Sequence, residues 1–529
     1  MYIAMDMGTT NTRLWLIDKS EVIAEKKEHF GASCGKREGR DVLFGRLRQM
    51  ICELICTAGV SEAQVECIIT SGMSGSEIGL CDVPHLPLPQ DPSKVAQRLF
   101  SMRFEEITSV PFLFVPGVKS LSGNQLSDIM RGEETEIYGI LPYLKGELPA
   151  TVVLPGTHNK IIHINERGEI TDFRTTCSGE ILDMAVTKSI LAGSVSHEFL
   201  VDALAVLRGA RYSEINGSNS AVFQVRVMEK NGAGADELSS FLYGAILGED
   251  VRLIRSFAGA GRLFVGGGGR LQECYSLLLN EGGCRAIALR AEVSANAVRR
   301  GLEGLYMMHR AYEAREQVKL AVEKEKIISI LRNPDPVSLI PAVQALYDGG
   351  IRLLEVTFDR TGKVSAEKVC AMIAELGEAF RGRMLIGAGT VCTEGEVLSA
   401  FEAGAAFIIS PCCNPEIIKL TRALGMVSIP AAYTATEIEL ALRSGADYIK
   451  LFPANQVTAE YMAAVKAPLS DARLLAVGGV DKDNLHSFMD MGFCGVGVGS
   501  SLYDKSLVKK KDFGALKLLA KEFTDALKS

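Results

Sequence analysis

Apolar, β-branched runs recur along the C-terminal part of the chain: "KIISIL" (326–331), "RLLEVTF" (352–358), "MLIGAGTV" (384–391), "AFIISP" (406–411), "MVSIPAAY" (426–433), "YIKLFP" (448–453), "RLLAVGGV" (473–480) and "CGVGVGS" (494–500). Between them lie segments such as "SAEKVCAMIAELGEAF" and "TATEIELALRSGA". Their apolar positions repeat every three to four residues, the period of an amphipathic helix. Short buried strands alternating with such helices predict parallel βαβ units. Eight evenly spaced units predict a closed (β/α)8 TIM barrel over 318–529. An open doubly wound sheet is the alternative, and the lack of a longer crossover favours closure.

The first 312 residues are patterned differently. They open with strand, Gly/Thr turn and strand in "YIAMDMGTTNTRLWLID". A second hairpin follows in "TVVLPGTHNKIIHINERGEITDFRTT", and a glycine-rich stretch comes late in "LFVGGGGRLQECYSLLL". Two such hairpins and a glycine turn at the mouth of a helix predict two related lobes around a nucleotide cleft. The junction "LYMMHRAYEAREQVKLAVEKEK" (305–326) reads as continuous helix without a Gly/Ser/Pro linker, so a semi-rigid joint is expected.

At 529 residues the chain exceeds a single core. It is 47% apolar and 23% charged, with a net charge of -7 and no basic block, so neither nucleic acid nor a membrane surface is an expected partner. No apolar run approaches the ~18 residues of a spanning helix, and no signal-peptide pattern opens the chain. The 13 scattered cysteines fit reduced thiols in a cytoplasm. The 7 histidines form no HxH or HxxxH arrangement, which disfavours a histidine-built metal site.

In the first turn, Gly8, Thr9, Thr10 and Asn11 carry small or hydroxyl side chains, and backbone N–H groups of such a turn can surround phosphate oxygens. Asp6, at the strand end, is placed to hold Mg2+ through water. Gly156 and Thr157 repeat the turn. Gly266, Gly267 and Gly268 follow a strand and precede a helix, as close approach of backbone to a nucleotide requires. In order, the three segments resemble the phosphate and adenosine motifs of the actin/sugar-kinase/Hsp70 superfamily. "MRGEETEIYG" (130–139), "PGTHNK" (155–160) and "DFRTTCSGE" (172–180) sharpen this to a resemblance to the 2-dehydro-3-deoxygalactonokinase family. The resemblance implies a two-lobed ATPase fold and transfer of phosphate from ATP, with Mg2+, to the 6-hydroxyl of a 2-keto-3-deoxy sugar acid. By analogy of position with related sugar kinases, Glu133 is the expected base. Glu134 and Asp172 are alternatives, and acidic residues also simply favour a helix start. Arg131 and Arg174 are candidates to hold the sugar-acid carboxylate by bidentate contact, with surface ion pairs as the equal alternative.

"YIKLFPAN" holds a lysine at the centre of an apparently buried strand. Residues two apart share a face, so Tyr448, Lys450 and Phe452 point into the barrel if Ile449 and Leu451 meet the outer helices. In "LLEVTF", Leu353, Glu355 and Thr357 share a face likewise. A desolvated lysine is a neutral nucleophile toward a ketone, and a buried carboxylate beside it can shuttle protons. Loops after the last two strands are the usual phosphate site of this fold, which selects Gly478, Gly479, Gly499 and Ser500. "LEVT", "IGAGTV", "IKLFPA" and "AVGGV" resemble the 2-keto-3-deoxy-6-phosphogluconate/galactonate aldolase family. That resemblance implies a class I aldolase needing no cofactor, with Lys450 as Schiff-base lysine and Glu355 as acid/base. It makes Arg332, Thr390 and Pro411 pocket residues and implies a homo-oligomer, a trimer through the barrel. Val477, the Phe358-Asp359-Arg360 order and Pro430-Ala431 depart from common family patterns.

The two halves fit consecutive steps on one small-molecule substrate: phosphorylation of 2-dehydro-3-deoxygalactonate, then cleavage to pyruvate and glyceraldehyde 3-phosphate. The gluconate epimer is a rival substrate. A non-catalytic sugar-acid or ATP sensor is a rival reading of the first half.

Overall fold

The computed structural model describes residues 1–123, 125–259 and 261–527. The chain forms two compact units, Met1–His309 and Arg310–Ser529, and the division falls within one helix, Ala291–Glu325. Among the described residues no helix is long and apolar enough to cross a membrane.

The first unit is built twice on one plan. Its first sheet holds β1 (Tyr2–Met7), β2 (Thr12–Asp18), β3 (Glu21–Glu28), β4 (Ile68–Gly72), β6 (Phe100–Phe104) and β7 (Thr108–Phe114) in the order β3-β2-β1-β4-β7-β6. A small sheet joins β5 (Leu86–Pro87), β8 (Val118–Ser122) and β9 (Gln125–Met130). The second large sheet holds β10 (Ala150–Leu154), β11 (Asn159–Ile164), β12 (Ile170–Thr176), β13 (Arg262–Val265) and β14 (Ile287–Ala288) in the order β12-β11-β10-β13-β14. In each large sheet an antiparallel hairpin, β1–β2 or β10–β11, sets its first strand parallel to a later one, β4 or β13.

The central strands are apolar on both faces because both faces are covered. Ile3 and Met5 pack under the helix Arg40–Ala58, whereas Tyr2 and Ala4 share a core with Val152, Leu154 and Ile162 of the second sheet. Val153 and Ile161 point the other way, into a core with Leu242 and Leu247 of the helix Ala235–Phe257.

The second unit closes. Its strands are β15 (Ile327–Leu331), β16 (Leu353–Thr357), β17 (Leu385–Gly389), β18 (Phe407–Ile409), β19 (Val427–Ile429), β20 (Ala431–Ala432), β21 (Ile449–Leu451), β22 (Leu474–Val477) and β23 (Gly495–Val498). The pairing order is β19-β18-β17-β16-β15-β23-β22-β21-β20. β19 and β20 are two halves of one strand, interrupted at Pro430, which has no N–H to give the ladder. One half pairs with β18 and the other with β21, so nine segments make an eight-stranded, all-parallel barrel. The open-sheet alternative is thereby excluded. The expected alternation also holds. Ile449 and Leu451 belong to the shell of outer helices, while Tyr448 packs inside with Leu353, Phe407, Ile429 and Leu475.

Candidate active sites

The two glycine turns of the first unit are braced alike. The N–H groups of Ala32 and Ser33 donate to the carbonyls of Gly8 and Thr9, each at 3.0 Å. In the second turn the Glu180 N–H donates to the Thr157 carbonyl at 2.9 Å. A Cβ on Gly31 would fall 2.3 Å from the Gly8 oxygen, and one on Gly179 would fall 1.8 Å from that of Gly156. Both braces therefore require glycine. Gly267, at φ 72°, lies against Pro155, so the third glycine segment adjoins the second turn.

A buried network fixes that turn. Asp250, 4% exposed, accepts hydrogen bonds from Asn159 Nδ2 (3.1 Å), Thr176 Oγ1 (2.9 Å), Ser178 Oγ (2.8 Å) and the Tyr275 hydroxyl. Asn159 passes the constraint on, its Oδ1 accepting from the Gly156 N–H at 2.9 Å. Sequence reasoning missed Asp250. Its one signal was a lone acid on the buried face of an apolar helix.

Asp6 stands near the end of β1, opposite Arg13 and Ser71. Gly72 and Gly132 (φ 77° and 109°) meet backbone to backbone, which brings the helix Glu133–Ile140 to this strand end. Three carboxylates gather there. Burial raises Asp6, with Arg13 opposing. Burial pushes Glu136 up to about 8, and the charges of Glu133 and Asp6 add to the rise. Burial also raises Glu133, opposed by the charges of Lys160 and His158 from the second hairpin, and its Oε2 has no hydrogen-bond partner. Lys160 is buried, donating to the Ile129 carbonyl (2.9 Å) and Thr175 Oγ1 (2.8 Å). Neither Glu136 nor Lys160 was singled out from sequence, although Lys160 ends the "PGTHNK" motif.

The other candidates sort by orientation. Glu134 faces away from this group: both its oxygens accept from the Gly132 N–H (3.0 and 2.8 Å), and Thr135 donates at 3.1 Å. It holds the turn. Arg131 donates through Nη2 to the Val83 carbonyl at 2.6 Å and meets His85 Nδ1 at 3.2 Å, leaving Nη1 buried without a partner. Arg174 is not brought to Glu133. It pairs with Asp172 at 2.7 Å, stacks over Phe257 at 5.1 Å, and lies opposite Ile161 on the helix-covered face. Its neighbour Thr175 takes the Lys160 face. The carboxylate-binding expectation for Arg174 thus gives way to the ion-pair alternative, and Asp172 is withdrawn with it.

In the barrel, Lys450 is 7% and Glu355 1% exposed. Burial lowers the Lys450 amine, opposed by the Glu355 charge and reinforced by Arg332. Burial raises Glu355, opposed by Lys450 and Arg332, and its Oε2 is unpartnered. The carboxylate occupies space that a side chain on β17 would fill: a Cβ on Gly389 would stand 1.5 Å from Glu355 Oε1.

Beside the pair opens a cavity of about 610 Å³ lined by Arg332, Phe452, Gly478, Gly479, Gly499 and Ser500, among others. The loops after β22 and β23 are tied by Ser501 Oγ donating to the Val480 carbonyl at 2.6 Å. Thr390 and Pro411 stand at the exits of β17 and β18, at the same barrel mouth but outside this lining. Arg360 donates to the Thr390 carbonyl and to Glu396, each at 2.6 Å, so it anchors the β17 exit loop.

Comparison with known proteins agrees with this geometry. Residues 6–305, more than half of the chain, match the family model "2-keto-3-deoxy-galactonokinase", and residues 318–519 match "KDPG and KHG aldolase". A 2-dehydro-3-deoxy-6-phosphogalactonate aldolase of Escherichia coli (strain K12) is 34% identical over 181 residues, 34% of this chain and 85% of that one. The chain belongs to the 2-keto-3-deoxy-galactonokinase family, with a KDPG and KHG aldolase family barrel joined to it. The galactonokinase half is 27% identical over 301 residues to the 2-dehydro-3-deoxygalactonokinase of E. coli (strain K12), covering 56% of this chain and 95% of that one. The aldolase half is also 35% identical over 170 residues to a 2-dehydro-3-deoxy-phosphogluconate aldolase of Treponema pallidum (strain Nichols), covering 32% of this chain and 78% of that one.

Proposed function

We propose that this chain catalyses two consecutive steps: ATP-dependent 6-phosphorylation of 2-dehydro-3-deoxygalactonate by residues 1–312, and aldol cleavage of the product to pyruvate and glyceraldehyde 3-phosphate by residues 318–529. The observation that carries the reading is the buried Lys450–Glu355 pair beside a glycine-lined cavity, in a chain whose other half holds two braced phosphate-type turns.

In the first step ATP supplies the phosphoryl group, its phosphates lying along the turns at Gly8–Asn11 and Gly156–Thr157 and its base near Gly266–Gly268. Asp6 and Glu136 offer only oxygen donors, the set that Mg2+ takes. Glu133, with its unpartnered oxygen, orients the sugar hydroxyl and takes its proton. Arg131, with one guanidinium nitrogen unengaged, meets the substrate carboxylate.

In the second step neutral Lys450 attacks the C2 ketone. Glu355 protonates the carbinolamine hydroxyl, which leaves as water and gives the iminium. The carboxylate then removes the C4 hydroxyl proton as the C3–C4 bond breaks toward the iminium. The enamine is protonated at C3 and hydrolysed to pyruvate. Gly478, Gly479, Gly499 and Ser500 hold the 6-phosphate, with Arg332 adding charge. Thr390 and Pro411 bound the mouth.

The similar identities to galactonate- and gluconate-type aldolases leave the barrel neutral between C4 epimers, so the galactonokinase match decides for the galacto series. We extend the proposal to a cytoplasmic homo-oligomer, trimeric through the barrel. Thirteen free cysteines suit a reducing compartment, and Leu398, Phe401 and Leu440 are exposed on barrel helices.

Borohydride reduction in the presence of pyruvate tests the Schiff base, with the adduct expected on Lys450. Trapping elsewhere, or cleavage sensitive to EDTA without trapping, removes the class I assignment. Faster phosphorylation of the gluconate epimer would transfer the chain to the rival substrate.

A further inference from the structure

We propose that His158, Cys177 and Glu180 form a Zn2+ site at the rim of the second glycine turn, and that its occupancy blocks phosphorylation while leaving aldol cleavage untouched. The site rests on geometry alone; the inhibitory half rests on the kinase reading.

His158 Nε2 lies 3.1 Å from Glu180 Oε2, and one ligand atom from each of the three residues lies within 4.8 Å of the others. They are the sole such group among the described residues, and all three are exposed. Each belongs to a motif, "PGTHNK" or "DFRTTCSGE", and none of the three side chains has a part in the proposed phosphoryl transfer. The β11–β12 hairpin unites them by pairing Asn159 with Thr176, and a group with one histidine shows no HxH or HxxxH spacing.

The three side chains stand on a fixed frame. Asn159, next to His158, and Thr176 and Ser178, on either side of Cys177, all donate to buried Asp250. Glu180 is held through its N–H to Thr157. Metal sites depend on such supporting shells. Cys177 immediately precedes the helix Ser178–Lys188, so its position is set by the start of that helix.

The donor set selects the metal. Thiolate, imidazole and carboxylate together suit Zn2+, whereas Mg2+ demands oxygen ligands in near-octahedral array. Zn2+ bonds of about 2.0–2.3 Å place tetrahedral ligands roughly 3.3–3.8 Å apart, a distance that rotamer adjustments can close. Binding replaces the Cys177 S–H bond by a sulfur–metal bond and releases the proton to solvent, with no change of oxidation state. Three protein ligands leave a fourth position for water or a phosphate oxygen. Beside Thr157, a metal there captures the group the turn must pass on.

The test uses the full chain stripped of metal, titrated with Zn2+ against a chromophoric chelator and with Co2+ as a spectroscopic probe. The wild type should bind one equivalent that Cys177→Ser and His158→Ala each weaken by at least about 100-fold, more than outer-shell partners usually contribute. The thiolate-to-cobalt band should vanish in Cys177→Ser and persist in Cys52→Ser, which removes one of an exposed thiol pair elsewhere, Cys52 and Cys56. Zn2+ at that concentration should stop phosphorylation by the wild type but not by Cys177→Ser, and cleavage should continue in both. Equal Zn2+ affinity in wild type and Cys177→Ser, or a surviving cobalt band, overturns the site. Zn2+ bound at Cys177 with phosphorylation unimpaired overturns the inhibitory half. Phosphorylation is measured first in zinc-free buffer; its absence there counts against the kinase reading alone, because the metal titration does not depend on it.

Discussion

Gly389→Ala should separate chemistry from folding in the barrel. The new methyl would stand 1.5 Å from Glu355 Oε1, 2.3 Å from its Cδ and 2.5 Å from its Cγ. All three distances are far inside van der Waals contact, so the carboxylate must leave its place. Overpacking of this kind costs about 1–3 kcal/mol. For a unit of this size that lowers Tm by roughly 2–12 °C and leaves the barrel folded at 25 °C. Loss of a positioned acid/base costs about 10²–10⁴ in turnover, equivalent to roughly 2.7–5.4 kcal/mol of barrier. The activity loss should therefore far exceed the stability loss. Cleavage of pre-phosphorylated substrate should match that of Glu355→Gln, while phosphorylation in the same chain stays at the wild-type rate. A second signature follows from charge. Glu355 raises the Lys450 amine, so its removal should move the acid limb of the cleavage pH profile, where Lys450 deprotonates, to lower pH. A Gly389→Ala enzyme within about threefold of wild-type turnover, where 10² or more is expected, would refute the placement of Glu355 as the reacting carboxylate.

Glu133→Gln should cut phosphorylation by about 10²–10⁴ with nucleotide affinity little changed. Glu134→Gln should instead lower Tm of the first unit, because it replaces one of the two carboxyl oxygens that accept from the Gly132 N–H; kinetics and melting of both variants check the division of labour. Asp250→Asn, which replaces one acceptor of the network by a donor, should raise KM for ATP more than it lowers kcat, read from initial rates at varied ATP. Glu136 and Glu134, each pushed up to about 8, hold protons in the fold that the unfolded chain releases near 4.5. Their contribution is full below about 4.5 and is lost as pH rises through about 8. Denaturant melts from pH 5 to 8 should show this decline, and Glu136→Gln should make it shallower while the Glu134 part remains.

The barrel site was legible because a strand has a strict period of two. Once Ile449 and Leu451 are assigned to the helices, Lys450 can point only inward, and Glu355 follows by the same rule. The first unit resisted this logic because β12 is an edge strand with polar, part-exposed residues on both faces, so alternation along it does not say which face meets the cleft. Arg174 stayed open between carboxylate contact and a surface ion pair for that reason, while Lys160, on the face turned toward Glu133, went unnoticed. Glu133, Glu134 and Glu136 are nearly adjacent in sequence. Only the Gly72–Gly132 contact, which sets how the helix meets β1, distinguishes their roles. Asp250 reaches its partners by long-range packing and left no local spacing to read, whereas His158, Cys177 and Glu180 meet across the β11–β12 hairpin, whose register the sequence does not announce. Thr390 and Pro411 show the limit of a motif: it located the barrel mouth but not which residues line the cavity.

The central claim is that one chain performs two successive reactions at two independent sites, and complementation tests it most directly. Asp6→Ala should lose phosphorylation and keep cleavage, and Lys450→Ala should do the reverse. Each variant is supplied with ATP, Mg2+ and 2-dehydro-3-deoxygalactonate, and pyruvate release is followed. Neither alone should release pyruvate, and an equal mixture should, after a lag in which the phosphorylated intermediate builds up in solution. Pyruvate from Asp6→Ala alone, or none from the mixture when each variant retains its own partial reaction, would contradict the account.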